Sequence, residues 1–262
     1  MTDILTPSEI NKSISVDIIL PNYNSEIYIS ETIDSVINQT FKNWKLIIID
    51  DNSNNQTKEV LKNYIKHPNI DIIWLEKNKG PAFCRNFAIK NSKSQYVAFI
   101  DSDDIWEEEK LSKQLEFMIK NKYYFTYTNY LPFKSEKGKK NLKEIKPPKY
   151  FTFDKFIKNT SIATSTMIIN RSKIGEVKFS NTKICEDYFF KCEILKKINY
   201  AYCLSENLMK YRIRKNSLQS NKIRNIYWIW YINKNYNQLS FIKNLLSIFF
   251  ISINSIKKYG FK

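Results

Sequence analysis

The stretch that decides the fold is "YVAFIDSDDIW", Tyr96 to Trp106. Its first five residues form an apolar run without polar alternation, which is the pattern of a strand covered on both faces. Asp101, Asp103 and Asp104 then stand within four positions. Carboxylates that close repel one another unless a positive charge sits among them. The chain has 42 Lys and Arg against 26 Asp and Glu, a formal net charge of +16. A basic chain that gathers acids at a strand end has placed a cation site there, or an Asp-rich turn that caps the next helix.

Toward the N-terminus the same pattern recurs. "VDIIL" (Val16–Leu20), "WKLIIID" (Trp44–Asp50) and "IDIIWL" (Ile70–Leu75) read as buried strands. Helices alternate with them. "IYISETIDSVINQ" carries Ile29, Ile33, Val36 and Ile37 at helical spacing, and "TKEVLKNYIK" follows the second strand. Pro81 opens a third helix at a favoured first-turn position. "EEEKLSKQLEFMIK" is a fourth, which Asp104 and Glu107 are placed to cap. The expected class is α/β, a mostly parallel sheet with helices on both faces. Ligands of such sheets bind beyond the carboxyl ends of the strands. Tyr23–Asn24, Asp50–Asp51 and Asp101–Asp104 all fall on that rim.

From Phe133 to Lys149 the chain is basic, contains prolines, and reads as a mobile loop. A short helix near Phe153–Lys158, a strand "ATSTMIIN", the acidic pair in "ICEDYFFKCEILKK" and a strand "NLMKYRIR" follow, with helices from Asn221 to Lys262.

Several function classes fit poorly. Four cysteines without a CxxC pair and a single histidine, His67, argue against a zinc site and suit reduced cytosolic thiols. The polar start shows no basic region followed by an apolar core, so no signal peptide is expected and a cytoplasmic location is. Four isolated glycines leave no GxGxxG and no Walker A loop. "PNYNS" is not the Gly-rich loop of a sugar nucleotidyltransferase. The positive charge raises nucleic-acid binding, which the acidic rim opposes. A catalytically dead scaffold is a further alternative. A hard cation shared by carboxylates and phosphate oxygens, which would suit a nucleoside diphosphate ligand, stands beside the helix-capping turn as the other reading of this motif.

The ordered pieces "VDIILPNYN", "TIDSVINQTFKNWKLIIIDDNSNNQT", "NKGPAFCRNFAI", "YVAFIDSDDIW", "ATSTMIINRS" and "ICEDYFF" together resemble the nucleotide-sugar-dependent inverting glycosyltransferases of family 2. The resemblance runs from about Val16 to about Ser217. It implies a GT-A fold over residues 1–220, with a nucleotide-binding half at about 14–130, an acceptor half at about 150–220, and a helical tail at 221–262. It implies a UDP-sugar donor, with dTDP or GDP as the other nucleotides, and a glycan or lipid-linked glycan acceptor in surface polysaccharide or lipopolysaccharide assembly. It also implies a divalent cation, Mg²⁺ or Mn²⁺.

By the same resemblance Pro21, Tyr23 and Asn24 lie along the nucleotide. Tyr23 has a flat face for a base; Asn24 is equally a turn former. Asp51 accepts from the base, Arg85 reaches the base or diphosphate with help from Lys79, Asp101 contacts ribose or the metal's water shell, and Asp103 holds the metal. Asp187 is the catalytic base and Glu186 positions the acceptor, near Thr164, Ser165 and Thr166. The family often has a histidine after a "YR" pair. This chain instead has Arg212 and Arg214, suited to clamp a leaving diphosphate.

In the tail Ile242, Leu246, Phe249, Ile253 and Ile256 fall on one helical face. The apolar run is broken by Lys243, Asn244 and Asn254 and is shorter than the ~20 residues of a spanning helix. It either caps the core or lies peripherally on the cytoplasmic face of the membrane, where Trp228, Trp230 and the lysines suit a headgroup interface.

Overall fold

The computed structural model describes residues 14–134, 140–214 and 221–259. In chain order the elements are β1 (Val16–Asn22), α1 (Ile29–Ile37), β2 (Trp44–Asp50), α2 (Asn55–Lys62), β3 (Ile70–Trp74), α3 (Pro81–Asn91), β4 (Tyr96–Phe99), β5 (Ile105–Trp106), α4 (Lys110–Lys120) and β6 (Phe125–Lys134). There follow β7 (Lys140–Asn141), β8 (Tyr150–Phe151), α5 (Phe153–Phe156), a 3₁₀ turn (Thr164–Thr166), β9 (Ile168–Asn170), α6 (Arg171–Ile174), α7 (Glu186–Ile198), β10 (Ala201–Arg212), α8 (Lys222–Asn235) and α9 (Phe241–Tyr259).

All the strands join one sheet in the order β3-β2-β1-β4-β9-β6-β10-β5, with β7 on β6 and β8 on β10. The long pairings, β1 with β2 and β4, β2 with β3, and β6 with β10, are parallel. The antiparallel ones are two or three residues each.

Strand alternation sorts the core into two layers. Ile19, Ile47, Ile49, Val97 and Phe99 face one side, where Cys84 and Ala88 of α3 and Phe190 and Ile194 of α7 cover them. Ile18, Leu20, Leu46, Ile48 and Ala98 face the other, under Ile33 and Val36 of α1 and Leu111 and Leu115 of α4. Each such side chain taken from water contributes roughly 1.5–3 kcal/mol. Both faces being covered is why the strands read as unbroken apolar runs. Ile229, Ile232 and Ile251 of the two C-terminal helices join the first layer.

Three expectations change. Residues 140–149 join the sheet through β7 and a bridge from Tyr130 to buried Ile145, where a loop was expected; residues 135–139 lie outside the described residues. "ATSTMIIN" is a strand only at Ile168–Asn170, because Thr166 Oγ1 donates to the Ala163 carbonyl and pulls the threonines into a turn. Asp104 does not cap α4, whose N-cap is Glu109 without a side-chain bond.

One polar group lies deep in the second layer. Lys110 is fully buried, its Nζ 3.0 Å from Gln114 Oε1 and over the Trp106 ring. Burial pushes its pKa down to about 7. Above that pH the folded state has lost a proton that the unfolded chain keeps up to its ordinary value near 10.5. Stability therefore rises with pH between about 7 and 10, by up to roughly 1.4 kcal/mol per unit from this group. Urea titrations at pH 7, 8 and 9 should show this extra slope in wild type and not in Lys110→Met.

Candidate active site

A cleft of about 740 Å³ opens at the carboxyl ends of β1, β2 and β4 and is closed by the start of α7, the end of β10 and α8. That is the size of a small-molecule or cofactor pocket.

On one side of the cleft the loop after β1 is held to the loop after β2. Asn22 Nδ2 donates to Asp50 Oδ1 at 2.8 Å, and Ser25 Oγ donates to Asn22 Oδ1. Asn24 is left-handed (φ 45°), its N–H donating to Ser53 Oγ and its Oδ1 accepting from the Asn54 N–H. Its side chain builds the turn. Tyr23 beside it lines the cleft with Pro21 and is 51% exposed, so its ring is open to a ligand.

Asp51 is engaged by the chain itself. Its oxygens accept from the backbone N–H groups of Lys79, at 2.7 Å, and Gly80, at 2.8 Å. The bonds fix the entry to α3, where Gly80 takes φ 84°, a conformation that suits glycine. Lys79 contributes this backbone group only: its ammonium sits over the Phe83 ring, and Lys79 does not line the cleft.

Arg85 also departs from expectation. It is buried on α3 with one nitrogen 2.6 Å from Asp101 and another 2.8 Å from Glu186. The fork thus links the two acidic motifs instead of standing ready for a ligand. Burial opposes its charge, but Asp101 and Glu186 outweigh that and raise its pKa. Its Nε has no hydrogen-bond partner among the described residues.

Asp103 faces the cleft with Oδ2 2.6 Å from Arg214 Nε. Burial pushes its pKa up to about 6, against the pull of Arg214. A single carboxylate at the cleft, completed by phosphate oxygens, suits Mg²⁺ or Mn²⁺ once Arg214 releases it. The described residues hold no cluster of three His, Cys, Asp or Glu that could bind a metal by itself. Arg212 lines the wall, but its guanidinium is committed to the Asp103 carbonyl at 2.7 Å and to Glu31 at 2.6 Å, over the Tyr28 and Phe133 rings. The positions after Arg214 where the family histidine would stand, 215–217, lie outside the described residues.

Asp104 turns away from the cleft. It accepts from the Arg212 N–H and from Ser165 Oγ at 2.6 Å, and burial with its two acidic neighbours raises its pKa. Ser165 Oγ in turn accepts from the Asp101 N–H at 3.0 Å, and the Ser165 carbonyl accepts from Trp106 Nε1 at 2.8 Å. Thr164, Ser165 and Thr166 are buried behind the acidic loop and do not line the cleft. They brace the site, where acceptor contact was expected.

On the opposite side, Cys185 is left-handed (φ 61°) at the N-cap of α7 and turns Glu186 and Asp187 into the cleft. Lys191, four residues on, places its ammonium 2.8 Å from Asp187 Oδ2, and Thr164 Oγ1 is 3.3 Å from the same oxygen. Burial opposes the charge of Asp187, but Lys191 and then Arg85 overcome it and hold the carboxyl below its ordinary value. For Glu186 burial wins over Arg85, and its pKa is raised. Lys191 is a functional neighbour that the residue reading missed, although its i,i+4 spacing from Asp187 was in view. Asn225, which α8 brings to the cleft, and Glu31 of α1, which pairs with Arg212, had no local signal.

The α/β fold carries two acidic pairs on one cleft at the strand ends, and comparison with known proteins makes it the GT-A fold of a glycosyltransferase. The model of the family described as "Glycosyl transferase family 2" matches residues 17–177, and the chain belongs to that family. It is 36% identical over 244 residues, 93% of the chain and 96% of the relative, to TuaG of Bacillus subtilis (strain 168), a glycosyltransferase whose name assigns it provisionally to teichuronic acid biosynthesis. It is 35% identical over 256 residues, 94% of the chain and 95% of the relative, to the Escherichia coli UDP-Glc:alpha-D-GlcNAc-diphosphoundecaprenol beta-1,3-glucosyltransferase WfgD. Among solved structures, S. aureus TarS 1–349 in complex with UDP-GlcNAc matches with a TM-score of 0.71 at 22% identity, over 94% of this chain and 73% of that one. The mannosyltransferase PcManGT from Pyrobaculum calidifontis, in complex with GDP-Man and Mn²⁺, matches with a TM-score of 0.66 at 13% identity, over 94% of this chain and 76% of that one. These two likenesses speak for the fold.

Proposed function

We propose that the protein transfers a sugar, with inversion, from a UDP-sugar to a hydroxyl of a lipid-linked glycan, in the assembly of a surface polysaccharide or lipopolysaccharide. The observation that carries this reading is that Asp101 and Asp103 share a cleft with Glu186 and Asp187, with Arg85 bonded to one residue of each pair. The donor follows the UDP-sugar named for WfgD and the ligand of TarS, and the acceptor follows the diphosphoundecaprenol in the name of WfgD.

Tyr23 stacks on the base, Pro21 and Asn24 shape the loop around it, and Asp51 holds the strand end from which the base is read. Asp101 turns to the ribose. Asp103 would hold Mg²⁺ or Mn²⁺, which supplies charge neutralisation of the leaving diphosphate. Arg214, 2.6 Å from Asp103, is placed to exchange that carboxylate for a phosphate oxygen. Lys191 keeps Asp187 ionised, ready to take the proton of the acceptor hydroxyl. The hydroxyl oxygen bonds to the anomeric carbon as the bond from that carbon to the UDP oxygen breaks, and Glu186 orients the acceptor.

Calorimetric titration with UDP, with and without Mn²⁺, tests the donor side. Wild type should bind UDP more tightly with Mn²⁺, and Asp103→Ala should lose that gain. Equal affinity with and without Mn²⁺ in both proteins would remove the metal role. No UDP binding by wild type would replace UDP with another nucleotide.

A further inference from the structure

The last helix is amphipathic in the reverse sense. A surface helix of a soluble domain turns its apolar stripe to the core. In α9 much of the inward seam is polar, beside buried Ile251. Asn244 and Ser247 are buried, and Asn233 of α8 donates to both. Ser247 Oγ donates to the Ile157 carbonyl, and Asn254 Nδ2 to that of Lys158 at 3.0 Å. The residues turned outward are apolar: Phe241 is 70% exposed, Ile242 69%, Leu245 54% and Phe249 58%. On α8 a second exposed row, Ile223, Tyr227 and Tyr231, follows an i,i+4 spacing. The hairpin is therefore fastened by its polar seam and by a few isoleucines, leaving most of its apolar surface uncovered.

Charge identifies the occupant. From Asn207 to Lys262 the chain carries eleven Lys or Arg and no Asp or Glu, so most of the net +16 lies in this last fifth. Lys222, Lys234, Lys243 and Lys257 are exposed on the two helices. Apolar and aromatic side chains on one surface with cationic stems around them match the boundary between acyl chains and anionic headgroups. No described helix is long and apolar enough to cross a membrane.

We propose that the outward surface of α8 and α9 docks on an anionic phospholipid bilayer, with the hairpin lying along the headgroup boundary. The same α8 contributes Asn225 and Ile229 to the cleft, so docking sets the acceptor side of the site beside the lipid. The docking surface stands on exposure and charge; its purpose, capture of a lipid-linked acceptor, rests on the function proposed above.

The test is flotation of the full-length protein with vesicles of phosphatidylglycerol and phosphatidylcholine, and with phosphatidylcholine alone. Wild type should float with the anionic vesicles and less with the neutral ones. Leu245→Glu with Phe249→Glu, and separately Lys222→Glu with Lys234→Glu and Lys243→Glu, should each lower vesicle partitioning at least tenfold. These positions are exposed, so the circular dichroism spectrum and UDP titration should match wild type. Wild type that stays at the bottom, or a Leu245→Glu/Phe249→Glu protein that still floats, overturns the proposal. A wild-type dimer in solution that this variant converts to monomer, without vesicle binding by either, would give the surface to a second copy instead. Flotation as expected without UDP binding would strike the donor reading and leave the surface standing.

Discussion

Asp187→Asn should lower sugar transfer by about 10²–10⁴-fold, the usual contribution of a positioned general base, while UDP affinity stays within about twofold. The amide keeps the shape of the carboxylate, but its carbonyl oxygen is a far weaker proton acceptor. Hydrogen bonds from Lys191 and Thr164 both fall on Oδ2, so one oxygen is held from behind as the side chain projects into the cleft. Glu186→Gln supplies the control. Glu186 has the higher proton affinity, but its Oε1 is tied to Arg85. Its loss should act chiefly through acceptor KM. If Glu186→Gln abolished turnover and Asp187→Asn kept it near normal, the two roles would have to be exchanged.

Arg85→Ala should destabilise the fold by about 3–5 kcal/mol, the range for removing one partner of a buried ion pair. The guanidinium serves Glu186, whose burial it compensates, and the part-exposed Asp101, and the truncation leaves both without that cation. Whole domains are stable by only about 5–15 kcal/mol, so the variant would lose a large share of its margin. Arg85→Lys should recover only part, since one ammonium cannot span both partners as a planar fork does. Urea unfolding of the three proteins measures this. A loss below about 1 kcal/mol in the alanine variant would mean that water replaces the guanidinium at little cost, and that Arg85 is not the link between the halves.

The central sheet was legible because its strands are buried on both faces, which writes each of them as an apolar run in local sequence. Asp101 and Asp103 were legible for a related reason: the end of such a run falls at the rim of the sheet, although Asp104 beside them is buried instead. What the residues do to one another was much less so. Arg85 looked like a ligand-facing group because its partner Glu186 lies 101 positions away. Asp104 looked like a helix cap because its donor, the Arg212 N–H, lies 108 positions away. Thr164–Thr166 looked like acceptor contacts because local sequence does not say which side of a cleft wall a turn occupies. In the tail the hydrophobic spacing on α9 was visible, but not that this face would point outward. That outcome depends on Asn233 meeting Asn244 and Ser247, a pairing between two helices.

Ser165 ties the acidic loop at Asp101, Asp104 and Trp106 with three hydrogen bonds made entirely within the protein. The loop thus holds its shape before any donor arrives. A nucleotide that lands there need not give up affinity to freeze a wandering segment. The backbone that carries the carboxylates is likewise set before charge builds on the departing phosphates. Efforts to change the donor nucleotide can therefore vary the open floor around Tyr23 while leaving this serine in place. Its removal would be felt as slower, looser recognition of every donor rather than a preference for a different one.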